Sequence, residues 1–239
     1  MEDIKIRAFG SLYVGDKFMK PGKEMPEGVI EFMNSPLSPV RWALINGKWY
    51  CLNTYCLGIS WEDLRIMGYV YGRPVTIDGK SYLCRCPQLK PGGEWDQVVK
   101  SAKGVVSWEN KSTCFYGQEY FPEDSYSEDA RCSIAGRYGV EIVVSGSVDE
   151  HDPNTGWRPV LEPIDGPTCD DPTPALLNSP VSVFLGSYCL HGALLSYTDY
   201  DVVIQYDGHQ MLTGPNKAVL IEDGKACISR SSIVFLRAE

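Results

Sequence analysis

Three dipeptides limit what this chain can fold into. Asn46-Gly47, Asp78-Gly79 and Asp223-Gly224 each stand between two short apolar runs. Asn-Gly and Asp-Gly tolerate the positive φ that a two-residue hairpin loop demands at both central positions. "RWALINGKWYCL", "RPVTIDGKSYLCRC" and "AVLIEDGKACIS" therefore each predict two antiparallel strands. In the second, Val75 and Ile77 share one face going out, and Tyr82, Cys84 and Cys86 share one face coming back, because side chains alternate along a strand. Long helical patterns are absent. "SWEDLRIMG" reads as a short helix, with Ser60 as N-cap, Asp63 three residues on and a stop at Gly68. "GEWDQVVKSAKG" predicts a second helix from about Glu94 to Lys103, ended by Gly104. The expected fold is mainly β, with an α+β first part.

The chain divides at "PIDGPTCDDPTPALLNSP", residues 163–180, which has proline at five positions and little periodicity. That is a linker signature. The expected domains are residues 1–163, a linker over 164–179, and residues 180–239. From Val105 to Pro163 the pattern loosens, and only "GVEIVVSG" and "WRPVLEP" read as strands. Long irregular loops carried on a rigid scaffold are where binding sites collect. The search for function therefore centres on about Trp108 to Asn154.

Charge and cysteine content narrow the function classes. The net charge is −9 and no Lys/Arg cluster occurs, which disfavours a polyanionic partner. Glu119, Glu123, Asp124, Glu128 and Asp129 gather in one stretch, and Asp149, Glu150 and Asp152 in another. They read as solvated loops or as a negative rim for a cationic or metal-bearing ligand. The nine cysteines are odd in number and follow no export signal, so they are expected to be reduced and structural. Cys84 and Cys86 are too close for a zinc knuckle, and Cys51 and Cys56 lack a second pair; no metal or cofactor is expected. No apolar run is long enough to span a membrane, and the N-terminus alternates like a strand, which points to the cytoplasm.

The three histidines are His151 in the acidic turn, His191 beside Gly192, and His209 in "YDGHQ", read as a hairpin tip. None is placed by sequence beside an exposed thiol, and phosphate-cradling loops and hydrolase motifs are absent. An enzyme is disfavoured.

"ARCSIAGRYGVEIVVSG…NTGWRPVLEP" resembles the C-terminal end of the formylglycine-generating-enzyme-like branch of the C-type lectin fold. In that family an Arg-x-Ser segment leads through variable loops to a closing Gly-Phe-Arg-hydrophobic strand. Arg131-Cys132-Ser133 and Gly156-Trp157-Arg158-Pro159-Val160-Leu161 stand in those places. The resemblance covers about Val75 to Pro163. It implies a binding surface just before the closing strand, with Tyr138, Glu141 and the loop from Asp149 to Asn154 on it. Members of that family include an oxidase with a copper-binding cysteine pair; that pair is not matched, so no catalytic residue is carried over. Candidate ligand-binding residues are Trp108, Tyr116, Tyr120, Tyr138, Glu141, Asp149, His151, Asn154 and Arg158. For Arg158 a second role competes, because five donors on one guanidinium can tie several backbone carbonyls together.

Residues 180–239 show five strand-like pieces, with Gly192 mid-strand where a small barrel must bend. "VFLGSYCLHGALLSYTDYDVVIQ" and "CISRSSIVFL" resemble the two motifs of the Sm/Hfq-like fold. Gly192, Tyr197, Asp199, Arg230 and Ile233 are the motif positions. The resemblance implies a small β-barrel that assembles into rings of six or seven subunits by strand pairing, and a family that commonly binds RNA. This tail departs from it: Thr198 stands at the motif aspartate, Val202 at the base-contacting asparagine and Ser231 at the histidine. Four cations (Lys217, Lys225, Arg230, Arg237) face six carboxylates (Asp199, Asp201, Asp207, Glu222, Asp223, Glu239), so RNA is disfavoured.

Together these resemblances imply a non-enzymatic binding protein, phage- or prophage-encoded and resident in the host cytosol. It would display a lectin-like surface on a homo-oligomeric Sm-like ring, to sequester a host defence protein or a small signalling molecule. An RNA-binding Sm-like regulator and a virion structural or receptor-binding component are the alternatives.

Overall fold

The computed structural model describes residues 4–108, 113–121, 129–164, 172–185, 189–206, 218–233 and 235–238. The protein is mainly β. It forms two compact units, Met1–Pro163 and Ile164–Glu239.

The first unit runs β1 (Lys5–Ala8), β2 (Ser11–Val14), β3 (Lys17–Phe18), β4 (Ile30–Met33), β5 (Arg41–Ile45), β6 (Lys48–Cys51), α1 (Trp61–Ile66), β7 (Arg73–Ile77), β8 (Lys80–Arg85) and α2 (Glu94–Ser101). It continues with β9 (Cys114–Phe121), β10 (Arg131–Ala135), β11 (Val143–Ser147), β12 (Thr155–Gly156) and β13 (Val160–Pro163). Two hairpins of this unit turn at Asn46-Gly47 and Asp78-Gly79, where all four φ angles are positive. The central sheet has the order β1-β5-β6-β13-β8-β7, which places the last strand of the unit between two earlier hairpins. Two further sheets are β11-β10-β9-β12 and β3-β2-β4.

Alternation along the central strands builds a separate core on each face of that sheet. Leu161 joins Trp42, Cys51, Tyr82 and Cys84 on one side, covered by Trp61 and Leu64 of α1. Val160 joins Ala43, Ile45 and Tyr50 on the other, covered by Trp95, Val98 and Val99 of α2. The one-residue step from Val160 to Leu161 thus crosses from one core to the other. Val75, Ile77, Tyr82, Cys84 and Cys86 all lie in or against the first core. Ser60 caps α1 in a full capping box with Asp63. α2 ends at Ser101, two residues before the expected Lys103.

The stretch read as loops corrects the sequence expectation most. It holds β9, an eight-residue strand, with β10 and β11 paired beside it. The first half of β9 is buried on both faces, so it shows no polar alternation to read. "GVEIVVSG" yields a strand that starts at Val143, four residues after the stretch begins, after a turn closed by Ile142 N–H on the Gly139 carbonyl at 3.0 Å.

The second unit contains β14 (Pro180–Phe184), β15 (Cys189–Tyr197), β16 (Asp201–Tyr206), β17 (Val219–Glu222), β18 (Lys225–Ser229) and β19 (Phe235–Ala238). They form one antiparallel sheet in the order β17-β18-β16-β15-β14-β19. The β17–β18 hairpin turns at Asp223-Gly224, again with two positive φ angles. Gly192 is required by contact: a Cβ there would lie 1.9 Å from the Gln205 carbonyl oxygen of β16. The core is aliphatic, built on Val181, Leu190, Leu194, Ile204, Ile228 and Leu236. Within the expected linker, Pro174–Leu176 form a 3-10 turn, and Asn178 N–H donates to the Leu194 carbonyl at 2.7 Å.

Candidate functional site

Residues 154–161 tie the first unit together where three segments meet. Tyr55 and Trp157 exchange both backbone hydrogen bonds at 2.8 Å, and Gly58 N–H donates to the Thr155 carbonyl at 2.9 Å. Gly156 permits this approach. A Cβ there would lie 2.4 Å from the Tyr55 oxygen and 2.9 Å from Leu57 Cδ2. The same loop is held on its other side, with Leu57 N–H on the Lys23 carbonyl at 2.9 Å and Met25 N–H on the Leu57 carbonyl at 2.8 Å.

Arg158 is part of this fastening. Its side chain is interior, at 1 % exposure. Nη1 donates to the Leu52 and Cys51 carbonyls (3.0 and 3.5 Å), and Nη2 to the Trp108 carbonyl and Thr54 Oγ1 (3.2 and 3.4 Å). Its guanidinium lies 4.6 Å from the centre of the Phe115 ring and 5.8 Å from those of Trp95 and Trp108. No carboxylate is among these partners, and Nε has no acceptor among the described residues. Burial lowers its pKa to about 10, against a smaller opposing influence from Cys51. The nearby Arg85 differs: it is ion-paired to Glu94 (2.8 Å) and Glu162 (3.1 Å). Burial works against that charge, and the two carboxylates outweigh it and raise its pKa.

The fastened loop forms one wall of a cavity of about 460 Å³. That is within the range of small-molecule sites. Segment 25–29, Gly58 and Ile59, α1 and His151 supply the lining. Ile59 is buried, while Val29 and Ile66 are exposed apolar residues at the mouth. Met25 and Met67 add adaptable thioethers.

Three ionisable groups line it: Glu27, Asp63 and His151. Asp63 Oδ2 accepts from Ser60 Oγ (2.8 Å) and Ser60 N–H (3.2 Å), which leaves Oδ1 without a partner among the described residues. The Glu27 carboxylate has no partner among them either. His151 Nδ1 lies 2.7 Å from the Gly58 carbonyl oxygen and 3.7 Å from Asp63 Oδ2. A carbonyl only accepts, so Nδ1 carries the hydrogen and Nε2 keeps its lone pair while the ring is neutral.

Of the candidate ligand-binding residues, His151 alone lines this cavity. Trp108 and Tyr116 are core residues, as Arg158 is. Tyr120 stacks on Trp61, with ring centres 5.7 Å apart. Tyr138, Glu141 and Asp149 are exposed. Asn154 shapes the turn before β12: its N–H donates to Asp152 Oδ1 at 2.9 Å, and its carbonyl accepts from Cys114 N–H at 2.7 Å. Asp152 also accepts from Thr155 Oγ1 at 2.7 Å. Burial disfavours its charge, and these hydrogen bonds outweigh that and lower its pKa.

The acidic stretch read as solvated holds one inward carboxylate. Glu119 accepts from Leu89 N–H, Lys90 N–H and Ser133 Oγ, and so pins the segment before α2. Glu123, Asp124 and Glu128 lie outside the described residues, as does His209. Sequence reasoning passed over Glu27 and Ile66 and read Asp63 only as a helix cap. A capping carboxylate with one oxygen left over was the available signal.

In the second unit Tyr197 and Ile233 pack against the aliphatic core, and Arg230 Nη1 donates to the Thr198 carbonyl at 2.7 Å, beside the exposed Asp199. The sheet also makes a contact that sequence reasoning did not expect. His191 Nε2 is 3.6 Å from Cys189 Sγ, and its Nδ1 is 2.9 Å from Ser182 Oγ. Cys189 is 2 % exposed, so the thiol does not reach solvent as a nucleophile must. The other described cysteines are also free thiols, and all but Cys227 are buried. Burial pushes Cys51, Cys56 and Cys132 up to about 12. Among the described residues no group of three or more His, Cys, Asp or Glu is placed to hold a metal, and no helix is long and apolar enough to cross a membrane.

No protein-family model, curated protein or solved structure matches the chain.

Proposed function

We propose that this chain is a non-enzymatic binding protein whose first, lectin-like unit takes a ligand and whose second, Sm-like unit gathers copies into a ring in the cytosol. The resemblances set out above add a phage or prophage origin and the sequestration of a host molecule. The cavity beside α1 carries the reading. It combines apolar lining with unpaired carboxylate oxygens, and its walls are fastened by the closing segment of the unit. No Ser, Thr or Cys is among its lining residues, so the free Nε2 of His151 has no nucleophile beside it there. A fragment library screened by NMR against the full chain tests it. Ile66→Trp, which places a bulky ring at the mouth, is expected to abolish the hits. Fragments that bind the variant equally well would remove the cavity from the proposal.

Support for assembly comes from β17. It is an outer strand of its sheet, and its Leu220 is 64 % exposed. An apolar outer strand is a template for pairing with another chain, and ring closure satisfies every such edge. Light scattering on the full chain is expected to show six or seven chains per particle. A monomer would end the ring model.

A further inference from the structure

We propose that the cavity beside α1 selects an organic cation: an ammonium or guanidinium group on an apolar stem. This rests on the reading of the first unit as a ligand-binding unit and adds the chemical class of the ligand. The lining is one-sided in charge. Glu27 and Asp63 are its carboxylates, and no Lys or Arg lines it. Among the described residues one carboxylate has no partner and the other has a spare oxygen, so a bound cation would complete their hydrogen bonding without breaking any bond of the fold.

The third polar group agrees with these two. With its hydrogen committed to the Gly58 carbonyl, neutral His151 offers only the Nε2 lone pair. While that ring is neutral, the polar side chains of the lining all offer acceptors, and a ligand bearing N–H donors satisfies them. An anion would meet two like charges, and a neutral alcohol would leave both unneutralised. Beside the acceptors, Ile59, Met67, Val29 and Ile66 provide apolar surface for a stem. Because Asp63 and Glu27 face solvent, each carboxylate contributes about a two- to five-fold preference, as exposed ion pairs do.

The test compares three six-carbon probes on the full chain at low salt by NMR titration: hexylammonium, hexanol and hexanoate. Hexylammonium is expected to bind roughly 4- to 25-fold more tightly than hexanol, with hexanoate weakest. High salt should shrink the preference for the cation and leave hexanol unchanged. Glu27→Gln and Asp63→Asn should each remove about two- to five-fold of that preference. Capped lysine and arginine amides run in parallel: stronger binding than hexylammonium identifies a protein side chain as the source of the cation, and weaker binding identifies a free amine. Equal binding of all three probes, or a preference that survives both substitutions, overturns the proposal. If fragments fill the cavity without preferring the cation, the ligand class fails and the binding reading stands. If nothing fills it, both fail.

Discussion

The first unit places its charges in two opposite ways. Around Arg158 the cation is enclosed, and four acceptors and three aromatic rings hold it in place. Around Asp63 and Glu27 the charges are half in solvent, and part of their hydrogen-bonding capacity is unused. Enclosed charge that donates to several interior acceptors maintains the fold, since losing it strands its partners. Open charge with unused acceptors adds little to the fold and remains free for a ligand. The arginine that the sequence offers as a binding residue belongs to the first kind, and a helix-capping aspartate belongs to the second.

The largest expected consequence of the enclosed side appears at high pH. Cys51, Cys56 and Cys132 titrate near 9 in an unfolded chain and are pushed up to about 12 by burial in the fold. Their folded pKa is raised, so the stability they support is whole below pH 9 and is lost as pH rises towards 12. Each thiol costs up to about 1.4 kcal/mol per pH unit across that window. Arg158 acts in the opposite direction above pH 10, because its folded pKa is lowered, but it is one group against three. Ordinary stability of about 5–15 kcal/mol is then exhausted inside the window. Circular dichroism from pH 8 to pH 12, with a reducing agent present, should show cooperative unfolding between about pH 10 and pH 12. A flat signal through pH 12 would show that water reaches these thiols.

Arg158→Ala comes next. It strands the Cys51, Leu52 and Trp108 carbonyls and empties the space between three rings, so a loss of about 3–5 kcal/mol is expected. A urea midpoint within experimental error of the parent chain would mean that the arginine is dispensable to the fold. Arg158→Lys should recover only part of the loss, because a single ammonium cannot reach four acceptors at once. Gly156→Ala follows at about 2–4 kcal/mol, since overpacking forces the backbone of residues 55–57 to move. It connects the two sides, because that loop also walls the cavity. Gly156→Ala is therefore expected to weaken fragment binding as well as stability, whereas Arg158→Lys should act mainly on stability.

What could be read from sequence follows the same division. The hairpin turns, the capping box and the strand at Val160 and Leu161 depend on neighbouring residues, and local physics states them openly. β9 was hidden because its first half is buried on both faces and shows no polar alternation. The contact between Cys189 and His191 was legible in principle, because residues two apart on a strand share a face. The cavity was not legible. Residues 25–29, 58–67 and 151 are far apart in sequence, and long-range contacts bring them together, among them the bonds of residues 55–58 with residues 23–25 and 155–157 and that of Glu62 N–H with the Val148 carbonyl. The acidic turn around His151 shows its charge in the sequence, but its partner across the cavity is α1.

The smallest effect separates the two roles within a single capping box. Ser60 and Asp63 bond each other reciprocally at the start of α1. Ser60→Ala removes the cap and leaves the carboxylate, while Asp63→Ala removes the carboxylate and half of the cap. Each substitution should cost about 1 kcal/mol of stability, the usual value of such a cap, which places both well below Arg158→Ala in a urea titration. Their effects on the cavity should diverge. Ser60 is buried and does not line it, whereas Asp63 does. Hexylammonium binding is expected to be unchanged in Ser60→Ala and about two- to five-fold weaker in Asp63→Ala. Equal weakening in both would assign the loss to a frayed helix and remove the carboxylate from the site. Unequal weakening at equal stability separates the capping role of Asp63 from its role in the cavity.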